Sequence, residues 1–193
     1  IEAAHPEVRC YRYWPELSSD CRLMNKLLRD LTDYSMSDQL TKQRSDLCNL
    51  LRRAYLSCLP LTEGTNKTLT YTSRVSCAYM PLDSPKMMEA LLNLIVNALD
   101  AVSDNGSVQI ILTKSNEQFV VSIIDDGCGI APKQLLTIFH PFTTTKPDGT
   151  GLGLPVAKRI IEGHGGHIRV SSAPNQGATF TFLLPCSFSS DKK

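Results

Sequence analysis

No Cys-x-x-Cys pair occurs among the seven cysteines of this sequence, Cys10, Cys21, Cys48, Cys58, Cys77, Cys128 and Cys186. An odd, scattered set favours neither a zinc site nor a secreted disulfide framework, which leaves a reducing, cytoplasmic setting as the simpler expectation. No apolar run approaches the roughly 18 to 20 residues that cross a bilayer. The start, Ile1-Glu2-Ala3-Ala4-His5-Pro6, has no signal-peptide shape. The expectation is a piece without membrane contact, any anchor of a larger parent lying elsewhere. Charge of one sign is also missing: 20 basic residues against 19 acidic ones leave a formal +1. No basic stripe with interleaved aromatics tracks along the chain, so nucleic acid is excluded as a partner class. There is no repeat and no low-complexity tract. At 193 residues the chain accommodates one well-buried domain plus an appendage, but not two full-sized domains.

Helical and strand periodicities then divide the chain. Trp14, Leu17, Cys21, Met24, Leu28 and Leu31 recur at spacings of three and four, the seam of a coiled coil or helix bundle. Leu27 and Tyr34 widen that stripe, predicting one amphipathic helix from about Trp14 to Ser35. Such a helix is marginal alone in water, and must pack on the domain, pack on a second copy, or fray. Ser35-Met36-Ser37-Asp38 reads as a short linker. A helix over Leu47 to Cys58 is stopped by Pro60, and Thr68 to Ser76 reads as a strand. Asp83 or Ser84 caps the next helix, with Pro85 just inside it, running to about Val102. The turn Asp104-Asn105-Gly106 leads into strands Val108 to Leu112 and Phe119 to Ile124, paired as a hairpin. A short helix follows at Pro132 to Ile138. A glycine-rich turn and helix cover Gly149 to His164, stopped by Gly165-Gly166. Strands His167 to Ser172 and Thr179 to Leu184 complete the order. These elements predict an α+β fold, a two-layer α/β sandwich with a mixed, mostly antiparallel sheet and helices on one face, preceded by one long helix. Residues 1–37 are read as the appendage, 38–186 as the domain and 187–193 as a disordered tail.

Four patches carry the chemistry. Asn93 and Asn97 lie four apart and share a helix face. With Leu91, Leu92, Ile95, Val96 and Leu99 around them, they are either satisfied core amides, a solvated stripe, or ligands. Asp125-Asp126-Gly127-Cys128-Gly129-Ile130 follows an apolar strand and reads by itself as a turn. Phe139 to Lys146 reads as a surface loop anchored by two phenylalanines. Gly149-Thr150-Gly151-Leu152-Gly153-Leu154 opens a helix, where free amides and the helix dipole can hold phosphate oxygens. It is not the dinucleotide fingerprint, because the third glycine is one residue early and a loop, not a strand, precedes it. His164 and His167 flank a glycine break without further ligands nearby, and a structural role is expected of them. Cys128 could be replaced by a small apolar residue without loss.

In this order the patches resemble the ATP site of the histidine kinases, in the superfamily that includes DNA gyrase, the heat-shock chaperone ATPases and MutL. The resemblance runs from about Leu47 to Pro185 and implies the Bergerat fold, with ATP and Mg2+ as cofactors. It implies that Asn97 is a magnesium ligand through its carbonyl oxygen, an oxygen donor being what a hard ion prefers, and that Asn93 assists on the metal and phosphate side. Asp100 belongs to the same asparagine box. Asp125 reads the adenine amine, Gly127, Gly129 and Ile130 line its pocket, and Thr179, in Gly177-Ala178-Thr179, backs Asp125. Phe142, Thr144, Thr145 and Lys146 belong to an ATP lid, Lys146 reaching the phosphates. Gly149, Thr150, Gly151, Leu152, Gly153 and Leu154 form the phosphate turn.

The gyrase, chaperone and MutL branches carry a glutamate where this chain has Asn93. An amide cannot take the proton of an attacking water, so ATP held here is expected to await an outside nucleophile. The resemblance implies transfer of the terminal phosphoryl group to a histidine on a two-helix dimerisation hairpin, then signalling to a response regulator, in a homodimeric parent. His5 is not the expected acceptor: it precedes Pro6 in a turn and lacks an acidic neighbour after it. The Trp14–Ser35 helix resembles the hairpin's second helix instead. The expectation is a C-terminal piece of a sensor kinase that binds ATP without its own acceptor. The alternatives are a protein-serine kinase of the anti-sigma type, a hydrolase of the gyrase or chaperone kind, opposed by Asn93, and a nucleotide-binding module without catalysis.

Overall fold

The computed structural model describes residues 11–21, 24, 28, 40–146 and 149–186. The elements are β1 (Gln43–Asp46), α1 (Leu47–Cys58), a 3-10 turn (Leu59–Thr62), β2 (Thr68–Ser73), β3 (Tyr79–Leu82) and α2 (Ser84–Ala101). They continue with β4 (Ser107–Ser115), β5 (Gln118–Asp125), α3 (Pro132–Leu135), α4 (Gly153–Gly163), β6 (His167–Ser172) and β7 (Ala178–Pro185). Residues 14–21, 24 and 28 are helical, and Leu17, Met24 and Leu28 there are exposed. The rest of the helix expected up to Ser35 lies outside the described residues, as do His5 and the tail 187–193.

Five strands pair in the order β2-β4-β5-β7-β6. Only β2 and β4 run parallel; β4-β5, β5-β7 and β6-β7 are antiparallel. Two parallel neighbours require a crossover, and α2 supplies it. The register fixes one apolar face. Ile110 stands opposite Ile123 and Ile123 opposite Phe180, while Leu112, Val121 and Phe182 form the next row, all nearly or fully buried. Alternate residues such as Ser122 and Thr181 fall on the other face and bond each other at 3.2 Å. Strand alternation thus produces a one-sided core.

That core is covered by α1, α2 and α4. Leu91, Leu94, Ile95, Ala98 and Leu99 of α2 face it, with Leu47, Leu51 and Ala54 of α1 and Val156, Ile160 and Ile161 of α4. α2 packs against both other helices. Asp83 caps α2 by accepting Lys86 N at 3.1 Å, and its other oxygen accepts Thr41 N at 2.8 Å. Asp46 caps α1 in the same way through Cys48 N, and also accepts Ala78 N at 2.9 Å.

Several differences from the sequence reading concern local structure, among them that α3 ends at Leu135 instead of Ile138 and β4 continues to Ser115 instead of Leu112. The small sheet of β1 and β3 was not anticipated: each strand is four residues, without clean alternation, and Pro81 lies inside β3. β2 ends at Ser73 instead of Ser76. Val96 is not on the core face but 36% exposed, and Leu92 is only partly buried.

Candidate functional site

Asp125 is the last residue of the buried row along β5, so the strand itself delivers a carboxylate to the end of the core. It is 5% exposed. Its Oδ1 accepts two amides, Gly127 N at 3.0 Å and Ala178 N at 3.1 Å. No partner for Oδ2 exists among the described residues, and no buried polar atom is left unsatisfied there, so this oxygen opens toward solvent. Burial raises the carboxyl's pKa above its ordinary value, and the two amides offset only part of that rise. The neighbouring Asp126 is turned outward: it accepts Ser107 N and Ser107 Oγ at 2.8 and 2.7 Å, which hold its pKa below the usual value.

The loop after Asp125 is clamped by backbone. Cys128 N donates to Ala101 O at the end of α2, Asn175 N to Cys128 O at 2.7 Å, and Gly177 N to Gly127 O at 3.0 Å. Ile130 N donates to Ser172 Oγ at 2.8 Å, and that hydroxyl donates to Gly177 O. Gly129 has φ +68 and lies against the Ala173 carbonyl so closely that a Cβ would collide with it. Only glycine meets both demands without strain. The Cys128 thiol is exposed.

Thr179 does not back the carboxylate. It pairs with Ile124 and therefore lies on the opposite face of the sheet from Asp125. Ala178, one residue earlier and opposite Asp125, does so through its amide.

From the Asp125 loop, α2 leads to the second group. Asn93 and Asn97 are half-buried at the rim of the core, so neither amide is sealed among the apolar side chains. A side chain on Gly153 would come within 3.5 Å of Asn93 Oδ1, which places the start of α4 beside Asn93. No side chain caps α4, and the first-turn amides of a helix have no intrahelical acceptor. Asn93 and Ala101 are eight residues apart, about 12 Å along the axis. The α4 turn at Asn93 and the Asp125 loop at Ala101 therefore flank opposite ends of this stretch of α2.

The segment Phe139 to Lys146 runs from Phe180 on β7 to Asn97 and Asp100 on α2. Phe139 is half-buried, edge-on to Phe180 with centroids 6.5 Å apart. Phe142 is 65% exposed with φ 63, and its N donates to Gly151 O at 3.1 Å. Thr144 Oγ1 accepts Lys146 N at 3.1 Å, and Thr145 is exposed. Gly149 N donates to Lys146 O at 3.2 Å. Thr150 and Leu152 are buried, Gly149, Gly151 and Gly153 half-buried, and Leu154 packs against the core. The Lys146 ammonium lies 2.8 Å from both Asn97 Oδ1 and Asp100 Oδ2. One helix face thus presents an amide oxygen and a carboxylate oxygen to a single cation. Among the described residues no group of three or more His, Cys, Asp or Glu could hold a metal. The two donors are oxygens, the type a hard ion prefers, and a metal would need waters or phosphate oxygens for its other positions.

His164 does not meet His167. It is 4% exposed; its Nε2 accepts Asp83 N at 2.9 Å and its Nδ1 donates to Ile160 O at 2.7 Å. Burial lowers its pKa. This tie between the end of α4 and the cap of α2 spans 81 residues and has no local sequence signal.

Comparison with known proteins places the chain in a family and agrees with its fold. The family described as histidine kinase-, DNA gyrase B-, and HSP90-like ATPase matches residues 82–187. The sensor histidine kinase ZraS of Salmonella typhimurium is 32% identical over 170 residues, 88% of this chain and 37% of that protein. The signal transduction histidine-protein kinase AtoS of Escherichia coli K12 is 36% identical over 165 residues, 84% of this chain and 27% of that protein. The chain thus spans little more than a third of these relatives' length at most. Among solved structures, the catalytic domain of histidine kinase ThkA superposes with TM-score 0.70 at 29% identity, covering 77% of this chain and 97% of that one. Full-length ShkA in complex with AMPPNP superposes with TM-score 0.79 at 25% identity, covering 90% of this chain and 38% of that one.

Proposed function

We propose, from the premise that the chain belongs to the histidine kinase-, DNA gyrase B-, and HSP90-like ATPase family and is the ATP-binding catalytic domain of a two-component sensor histidine kinase, that the cleft along α2 positions ATP for phosphoryl transfer to a histidine outside this domain. The observation that carries the reading is the Asp125 carboxylate, with Oδ1 saturated by two amides and Oδ2 open. An acceptor held this way matches the exocyclic amine of adenine. Guanine presents a carbonyl in that place, with no donor to offer, so the same group rejects it.

The remaining residues distribute along the nucleotide. Gly127, Gly129 and Ile130 wall the base, and Gly149 to Leu154 offer the amides of the α4 turn to phosphate oxygens. Asn97 would hold Mg2+ through its amide oxygen with Asn93 assisting, and Asp100, which shares the cation now seated beside Asn97, would add a carboxylate oxygen. Magnesium, when bound, neutralises phosphate charge and restrains the terminal phosphoryl group. Lys146 contributes its positive charge to the phosphates, and Phe142, Thr144 and Thr145 carry it on the lid. Asn93 neither activates water nor removes a proton. The nucleotide therefore waits for the imidazole of a dimerisation hairpin, the parent acting as a homodimer in the cytoplasm upstream of a response regulator. A related kinase, ThkA, has been solved in complex with the response regulator protein TrrA. No helix among the described residues is long and apolar enough to cross a membrane.

The test uses the chain with γ-labelled ATP and Mg2+, alone and with an acceptor hairpin from a related sensor kinase. Acid-labile label on the hairpin, with little on the chain itself and little free phosphate, is expected. Rapid phosphate release without transfer supports the hydrolase reading, and nucleotide binding without either supports a module that does no catalysis.

A further inference from the structure

We propose that Lys146 is a placeholder cation: in the nucleotide-free domain it latches the lid onto the Asn97–Asp100 seat, and metal-nucleotide entry exchanges it from those oxygens to the phosphates. The proposal rests on the reading of the cleft as a nucleotide site and adds a regulated step to it. Three features of the geometry support it. Asn97 and Asp100 are one helical turn apart on α2 and share a single cation, with both distances 2.8 Å. The lysine is tied locally, Lys146 N donating to Thr144 Oγ1 and Gly149 N to Lys146 O, while Phe142 N donates to Gly151 O. The contact bridges 46 residues of sequence, so it fixes the lid to the helix and not merely to itself.

The exchange conserves charge pairing. Before binding, the ammonium neutralises Asp100; afterwards the metal takes Asp100 and Asn97, and the phosphates take the ammonium. Asp100 and Lys146 each keep an opposite charge in both states, and no bond is made or broken beyond coordination and hydrogen bonds. The two side chains are 42% and 51% exposed. A pair that open to solvent is weak and salt-sensitive, which suits a latch that must yield to a multiply charged ligand.

Amide hydrogen exchange of the nucleotide-free domain tests this at Phe142 and Lys146, with Gly127 as an internal reference. Lys146→Met and Asp100→Asn should each speed exchange at the lid amides by about two- to fivefold and leave Gly127 unchanged. Lys146→Arg should restore most of the protection, and 1 M salt should speed the wild type toward the variants without affecting them. Unchanged lid exchange in both variants, or equal acceleration at Gly127, overturns the latch. Calorimetry with ATP and Mg2+ on the wild type separates the two ideas. Absent ATP binding removes the nucleotide reading while the exchange result still decides whether the latch exists.

Discussion

The two ends of the cleft are built by opposite means. At the Asp125 end a nearly buried carboxylate is fixed by two backbone amides, and its loop is stitched to α2 and to the β6-β7 turn by further backbone bonds. At the Lys146 end a half-exposed ion pair joins a loop to a helix through two long or surface side chains. The first arrangement cannot adapt without breaking the sheet; the second can open at little cost. The proposed function uses both, with a rigid acceptor to select the base and a loop to cover and later release the phosphates. By that proposal recognition falls on the backbone-fixed end and motion on the end held by a surface ion pair.

The contrast can be broken first at the strand that carries Asp125. Ile123 is fully buried, and Ile123→Ala should cost about 2 to 5 kcal/mol in urea unfolding. A cost below about 1 kcal/mol would show that this end is not the rigid one. A sharper comparison uses two glycines with the same backbone angle, Gly129 and Gly151, both at φ +68. Gly129→Ala should cost about 2 kcal/mol or more in the same assay, because φ strain adds to a collision with a fixed carbonyl. Gly151→Ala should cost clearly less, since its neighbours at Phe142 and Thr143 are on the lid and can withdraw. Its effect should appear in nucleotide affinity instead. Equal stability losses would contradict the division into floor and lid.

Acid probes the floor in a different way. Burial lowers the pKa of His164 below its unfolded value near 6.5. The unfolded chain then binds the proton more readily than the folded one. This contribution is complete above about pH 6.5 and is lost as pH falls toward the folded pKa, with a slope of at most about 1.4 kcal/mol per pH unit. Denaturant midpoints for the wild type should fall through that window, and His164→Gln, less stable at pH 7.5, should lack this part of the slope. The smallest effect belongs to the lid: Lys146→Met should change global stability by less than about 1 kcal/mol.

Much of the site was legible because its signals are local. The order of the four patches, the caps at Asp83 and Pro85, the helix stop at Pro60 and the alternation of β4, β5 and β7 each depend on neighbours within a few residues. The mixed sheet followed from those elements. What escaped the sequence is non-local or too short to show a period. Four-residue β1 and β3 carry no alternation, and the Asp83–His164 and Asp100–Lys146 contacts span tens of residues. Thr179 was misassigned by one position, because a threonine in a glycine motif suggests a side-chain role. The register shows that a backbone amide, available from any non-proline residue, does that work.

The most direct measurement of the central claim is a calorimetric titration of the domain with ATP and with GTP, Mg2+ present, repeated for Asp125→Asn. ATP should bind with GTP at least about 100-fold weaker, and the variant, offering an amide donor where the open carboxylate oxygen stood, should lose that preference. Equal affinity for both nucleotides in the wild type, or a variant that still discriminates, would contradict the assignment of Asp125 as the group that reads the base.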